Sequence, residues 1–308
     1  LKDCEFNGIS KQDVRITGKT RNVSFDNVKM NGSLVLSADK QPYKHLSEWM
    51  AYSEMKRTPK PWLLDFASAP RWSYTVGIEL ESLLDVYHVY GGDSIKNYLT
   101  AYCKKMIDQQ GKVTGYDYNA FNLDNIRPAK FILKMQQYAP TQGEKKALKT
   151  FMKQLLKQPR TSDGVFWHKA IYANQVWLDG IFMGLPFYCN YALTNYSDRK
   201  ARVILDDAVH QILQTDLRTY DKTTGLWKHA WDETHSQFWA NQGNGQSRHT
   251  WARSLGWYVM AIMECLDVMP NDYPRRAELV ALLQKTMQAV VQYQDKKSGV
   301  WYDVMDVK

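Results

Sequence analysis

The chain is poor in cysteine. Its four residues, Cys4, Cys103, Cys189 and Cys265, include no Cys-x-x-Cys pair, and such wide spacing excludes a zinc site built on cysteine. The apolar surroundings of Cys103, Cys189 and Cys265 predict buried free thiols. No apolar run reaches the ~20 residues that a membrane-spanning helix needs. Blocks of like charge are missing as well. The 40 Lys and Arg outnumber the 32 Asp and Glu to give a net +8, yet they run no longer than pairs such as Lys145-Lys146 and Arg275-Arg276. That dispersal argues against nucleic acid. It suits an acidic polysaccharide or oligosaccharide, or a merely soluble basic surface. There is no Gly-rich phosphate loop, nucleophile elbow or zinc-ligand spacing. Gly243-Asn-Gly245 follows no strand and reads as a turn. The sequence opens at Leu1 and carries no targeting information in either direction.

What is present in quantity is aromatic. With 11 Trp and 19 Tyr, the chain has rings to spare for stacking on sugar faces, although a large helical protein also uses rings as core filler. Residues 1–40 stand apart: Val23, Phe25, Val28 and Met30 alternate with polar residues ahead of Asn31-Gly32, the pattern of short strands and turns. From about Leu46 the apolar period becomes helical. It predicts helices over 46–55, 72–90, 94–107, 128–138, 143–156, 198–217, 250–268 and 274–293, and a further helix starting near Pro186. Three times a charged amphipathic helix ends in a Gly turn and an aromatic stub: Asp163-Gly-Val-Phe-Trp167, Thr224-Gly-Leu-Trp227 and Ser298-Gly-Val-Trp301. Repeated helix pairs without a membrane signal predict a ring of helical hairpins, apolar helices inward, with a pocket made by the loops at one end. After Trp301 the repeat calls for one more inner helix, so the ring is expected to be incomplete at Lys308.

The chemistry-bearing residues gather in the connecting stretches. Asp179 lies between Trp177-Leu178 and Gly180, ahead of Pro186, and is expected in a loop at a helix mouth, where apolar neighbours favour its protonated form. Asn122-Leu-Asp124-Asn-Ile echoes Trp177-Leu-Asp179-Gly-Ile. Two carboxylates at one rim form a glycosidase-like arrangement; either could instead be a helix cap. His168-Lys169 precedes Asp179, and Lys169 is available for a substrate carboxylate or for solvent. Trp227-Lys-His229-Ala-Trp-Asp232 combines rings, a proton carrier and an acid; His229 could equally be a packed core histidine. Trp251-Ala-Arg253-Ser254-Leu-Gly-Trp257 opens an apolar helix, where an Arg fork beside a hydroxyl suits a carboxylate, or caps the helix. Arg71-Trp-Ser-Tyr74 opens another and could add a wall.

Taken together, Asn-Leu-Asp124-Asn, His168-Lys169, Trp177-Leu-Asp179-Gly-Ile-Phe-Met183, Lys-His229-Ala-Trp-Asp and Trp251-Ala-Arg253-Ser254-Leu-Gly-Trp257-Tyr resemble glycoside hydrolase family 105, the unsaturated rhamnogalacturonyl hydrolases. The resemblance covers roughly residues 43–308. It implies an all-α, six-hairpin (α/α)6 barrel; the chain is expected to depart from it in lacking the last helices and in carrying a β-rich segment over 1–40. That segment weakly resembles the last rung of a polygalacturonase-type β-helix. It implies substrates ending in a 4,5-unsaturated galacturonyl residue, the product of pectin-type lyases, and a reaction that begins by hydrating the double bond. Asp179 is then the general acid and base. Asp124 is the second aspartate, positioning substrate and water. His168, Lys169, Trp177, Met183, His229, Trp251, Arg253, Ser254 and Trp257 match pocket positions, and Tyr74 adds a wall. No metal or organic cofactor, nucleic acid or membrane is called for. Two alternatives stay open: an unsaturated glucuronyl hydrolase acting on glycosaminoglycan disaccharides, and an inactive fragment that binds acidic oligosaccharide.

Overall fold

The computed structural model describes residues 5–6, 28–30, 33–35 and 45–307. Three short strands come first. β1 (Glu5–Phe6) runs parallel to β2 (Val28–Met30), which pairs antiparallel with β3 (Ser33–Val35). The strand expected at Val28 and Met30 is therefore present; the expectations for Val23 and Phe25 fall outside the described residues.

Among the described residues nine α-helices follow: α1 (Leu46–Arg57), α2 (Tyr74–Tyr90), α3 (Asp93–Met106), α4 (Arg127–Met135), α5 (Gln142–Lys157), α6 (Leu178–Asn195), α7 (Asp198–Thr219), α8 (Ala252–Val268) and α9 (Arg276–Gln292). Local chemistry sets several starts. Ser73 accepts a hydrogen bond from the Val76 amide at the head of α2. Thr141 and Glu144 cap each other's backbone at the head of α5. The even-numbered helices from α2 to α8 pack side by side, α2 on α4, α4 on α6 and α6 on α8. Behind them lie α3, α5, α7 and α9, each on its predecessor, with α1 also on α2. This is the inner and outer layering of a six-hairpin helical barrel.

The glycine turns recur once more than the sequence pattern indicates. Gly111, Gly164, Gly225 and Gly299 all have positive φ, at 84°, 89°, 72° and 74°, the region that favours glycine. They follow α3, α5, α7 and α9 in turn. The first escapes a search for aromatic stubs because Val113 stands where the others have Phe166, Trp227 and Trp301, yet it closes the same kind of bridge, Ile107 to Val113, as Arg160 to Phe166.

One helix starts eight residues earlier than expected. α6 begins at Leu178, and Pro186 lies inside it. A proline there removes a backbone donor and costs about 3 kcal/mol. Burial of Phe182, Met183, Leu185, Phe187, Tyr188 and Cys189 on all sides of the helix offsets that. Asp179 consequently sits in the first turn of a helix rather than in a loop.

Inside the inner layer lies a dense ion-pair cluster. Arg127 of α4 donates to both carboxylate oxygens of Glu264 on α8, at 2.6 and 3.0 Å, and to Glu81 on α2 at 2.8 Å. Lys130 reaches the same two acids at 2.6 and 2.8 Å, and Lys134 reaches Glu81 at 2.7 Å. Burial pushes the Glu81 carboxyl up, but Arg127, Lys130 and Lys134 outweigh burial and hold it at about 2. Cys103, Cys189 and Cys265 are buried free thiols. No helix among the described residues is long and apolar enough to cross a membrane.

Candidate active site

The 3-10 turn ahead of α4 packs on α6, α8 packs on the other side of α6, and the turn and the heads of α6 and α8 each bring a polar group. Asp124 sits in a short 3-10 turn, Leu123–Asn125, just ahead of α4, with its amide held by the Asn122 side chain at 3.0 Å. Asp179 is the second residue of α6, and Ser254 the third of α8. The Ser254 hydroxyl donates to Asp179 Oδ2. A carboxylate in the first turn is favoured by the positive end of the helix dipole.

Backbone pairing fixes the loops between them. β4 (Gln175–Trp177) runs antiparallel to the strand Ala230–Asp232, with Trp177 opposite Ala230. The Leu178 amide donates to the His229 carbonyl at 3.0 Å, so Trp177 and His229 are neighbours. The His168 amide donates to the Gln175 carbonyl at 2.9 Å, and the Leu123 amide to the His168 carbonyl at 3.1 Å. The Asp124 segment and the Asp179 segment therefore share one loop. Buried Gln158, at the end of α5, tightens this seam by donating to the carbonyls of Phe121 and Trp167 at 2.6 and 2.9 Å. Gln158 shows no signal in the sequence, because a glutamine after a helix is unremarkable until the loops it joins are known.

The two carboxylates have different company. Asp124 faces the Lys169 ammonium at 2.7 Å and His168 Nε2 at 3.4 Å. Asp179 meets a hydroxyl, and no ion pair to it is formed among the described residues. His168 is fully enclosed; burial pushes its imidazole down, against the pull of Asp124, so it is neutral near pH 7. Its Nδ1 has no hydrogen-bond partner among the described residues. A Cβ on Gly180 would lie 2.9 Å from that atom and 3.0 Å from Leu123 Cδ1. The absence of a side chain at Gly180 is what lets His168 rest against the first turn of α6.

Rings line the same region. His168 stacks on Trp177 at 5.0 Å and Trp177 on Tyr172 at 5.2 Å, nearly parallel. His229 stands edge-on to Trp177 and to Trp251, at 6.2 and 6.4 Å. Burial pushes its imidazole down too. Its Nδ1 lies 3.0 Å from Ser247 Oγ and 3.3 Å from the His249 carbonyl. The Arg253 guanidinium lies 3.8 Å over the Trp251 ring, and no carboxylate among the described residues pairs with it. One turn below, Trp257 stacks on Phe182 at 4.8 Å, and the Arg127 guanidinium covers Phe182 at 3.9 Å. Met183 is buried in α6.

Three residues fall elsewhere. Tyr74, at the head of α2, is half-buried against the core and has no ring contact with this cluster. Trp227 is a core residue, with its indole N–H on Asp216 at 2.7 Å. Asp232 is fully buried and accepts from the amides of Thr234, Ser236 and Gln237, so it organises a turn. Among the described residues no group of three His, Cys, Asp or Glu is placed to hold a metal ion.

Residues 46–308 match the model of Glycosyl Hydrolase Family 88. A glycoside hydrolase from family 105 of C. acetobutylicum ATCC 824 superposes with a TM-score of 0.78 at 30% identity, covering 85% of this chain and 69% of that one. The unsaturated glucuronyl hydrolase of Bacillus sp. GL1, responsible for glycosaminoglycan degradation, shares the fold at a TM-score of 0.58 and 13% identity, covering 83% and 70%. Protein Atu3128 of Agrobacterium fabrum is 33% identical over 124 residues, 40% of this chain, and the chain spans only half the length of that relative. On the family match, the helical-barrel fold and the identity to the family 105 enzyme, the chain belongs to the glycoside hydrolase family 88/105 group.

Proposed function

We propose that the protein removes 4,5-unsaturated galacturonyl residues from the non-reducing end of rhamnogalacturonan oligosaccharides by hydrating the double bond. The observation that carries this is the unequal setting of the two aspartates. Asp124 is committed to a cation, Lys169, at 2.7 Å. Asp179 is held, among the described residues, by the Ser254 hydroxyl alone. A vinyl ether needs a proton donor and afterwards a proton acceptor at the same place, and Asp179 is the group without a fixed counter-charge.

In this reading Asp179 delivers its proton to C4. Positive charge develops at C5 and is shared with the ring oxygen. Water adds at C5 and gives its proton back to Asp179, forming a hemiketal. The C5–ring oxygen bond then breaks to leave a ketone at C5, and the hemiacetal freed at C1 collapses and expels the remaining sugar. Asp124, fixed by Lys169 and His168, orients water and substrate. The Arg253 guanidinium takes the uronate carboxylate, and Trp177, Trp251 and Trp257 enclose the sugar ring. Neutral His229 hydrogen-bonds a sugar hydroxyl.

The test is to incubate the protein with lyase-generated unsaturated rhamnogalacturonan disaccharide and follow the ultraviolet absorbance of the conjugated enoate. Its disappearance with release of rhamnose is the expected result. Absorbance that persists under all conditions overturns the reading. Because the fold is shared with the glucuronyl hydrolase of Bacillus sp. GL1, an unsaturated glycosaminoglycan disaccharide is run alongside. Faster turnover of that substrate would move the assignment to the glucuronyl class.

A further inference from the structure

We infer that Asp306 is a positioning residue, one buried carboxylate that locks His229, Trp251 and Arg253 into a single wall of the site; the inference rests on the reaction proposed above. Asp306 lies 127 positions after Asp179 in sequence and in no helix or strand. Its side chain is only 6% exposed. One oxygen takes the Thr250 amide at 3.0 Å, and the other takes the Lys228 ammonium at 2.7 Å. The His249 ring approaches at 3.4 Å. Each of these partners adjoins a residue of the wall. Lys228 precedes His229, Thr250 precedes Trp251, and His249 supplies the carbonyl facing His229 Nδ1.

The backbone around Asp306 repeats the message. Val304 bridges Trp251, the Ala252 amide donates to the Asp303 carbonyl at 2.8 Å, and the Met305 amide donates to the Thr250 carbonyl at 2.9 Å. The loop that opens α8 thus has a strand-like partner along one side and a charge at its centre. Burial pushes the Asp306 carboxyl up, but Lys228 and the Thr250 amide hold it below the usual range. Lys228 is itself buried, and Asp221 at 3.2 Å is its other carboxylate partner. Removing the Asp306 charge would leave a buried ammonium half-compensated, and removing the whole side chain would also leave the Thr250 amide without its acceptor.

The experiment compares wild-type protein with Asp306→Asn, Asp306→Ala and Lys228→Met on unsaturated galacturonyl-rhamnose, well below each variant's unfolding temperature. Loosening the wall weakens substrate binding more than the proton transfer at Asp179, so KM is expected to rise about tenfold in Asp306→Asn and further in Asp306→Ala, with a smaller fall in kcat. Lys228→Met, which leaves the Thr250 contact intact, is expected to show the smaller rise. Asp306→Asn is isosteric and decides the matter if the alanine variant fails to fold. A lowered Tm with KM changed by less than about twofold would mark Asp306 as merely structural and overturn the inference. If wild-type protein does not turn over the disaccharide, the proposed function falls. The His229 imidazole then decides the inference through its 15N spectrum: one Nδ1-protonated tautomer in wild type becoming a mixture in Asp306→Asn supports it, and an unchanged spectrum overturns it.

Discussion

Two clusters of charge lie within a few helical turns of each other, and they are built on opposite rules. In the lower cluster each carboxylate has more than one cation: Glu81 has three, and Glu264 has two. Its exception is Arg127 Nε, which has no acceptor among the described residues. In the upper cluster Asp124 has Lys169 and Asp179 has a hydroxyl, while among the described residues Arg253 has no acid and buried His168 Nδ1 and Trp257 Nε1 have no partner. A saturated cluster holds helices together. One with unspent donors and charge stands ready for a ligand. Buried polar groups are normally satisfied, so the place where several are not is the candidate functional site.

The largest expected effect breaks the upper cluster alone. Asp179→Asn keeps the shape and cannot transfer the proton; turnover should fall by about 10³-fold or more, read as the rate of enoate absorbance loss, with little change in Tm. Breaking the lower cluster should do the reverse. Glu81→Gln leaves Arg127, Lys130 and Lys134 under-compensated and should cost about 3–5 kcal/mol of stability in urea unfolding, with the KM of the folded variant unchanged. The pH dependence has a definite sign. Because the folded Glu81 carboxyl is held at about 2, below its ordinary 4.5, the stability it contributes is present above pH 4.5 and is lost as pH falls toward 2. The glutamine variant should lack that acid-dependent loss.

Smaller changes sharpen the comparison. Gly180→Ala adds helix propensity, yet its Cβ would press on His168 and Leu123. A fall of about tenfold in kcat/KM is expected, since about 1 Å of misplacement at such a site is costly. An unchanged kcat/KM would show that His168 can move without consequence. The smallest effect concerns His168 itself. Burial lowers its folded pKa below 6.5, so unfolding takes up a proton below that pH and stability declines as pH falls through this range. His168→Gln should remove that slope, about 1.4 kcal/mol per pH unit at most, from stability measured between pH 6.5 and 5.

Much of this contrast was visible in the letters. Asp124, Asp179, His168-Lys169 and the Trp251–Trp257 stretch are short motifs whose side chains converge because neighbouring loops pair. Helices such as α5 and α7 show a clear period because each buries one face. The start of α6 was hidden for the opposite reason: a helix buried on all sides has no period, and Pro186 imitates a helix start. Tyr74 shares its place at a helix head with residues of the candidate site, and only packing separates them.

The order of residues in this chain determined the helical hairpins, the glycine turns and the set of candidate site residues, since all of these depend on neighbours a few positions apart. Tertiary structure decided which charges are spent. Arg127 finds Glu264 across 137 positions, and Lys228 finds Asp306 across 78. Such pairings form only when separate helices and loops are pressed together, because the strength of a charge interaction depends on distance and burial in space and on neither along the chain.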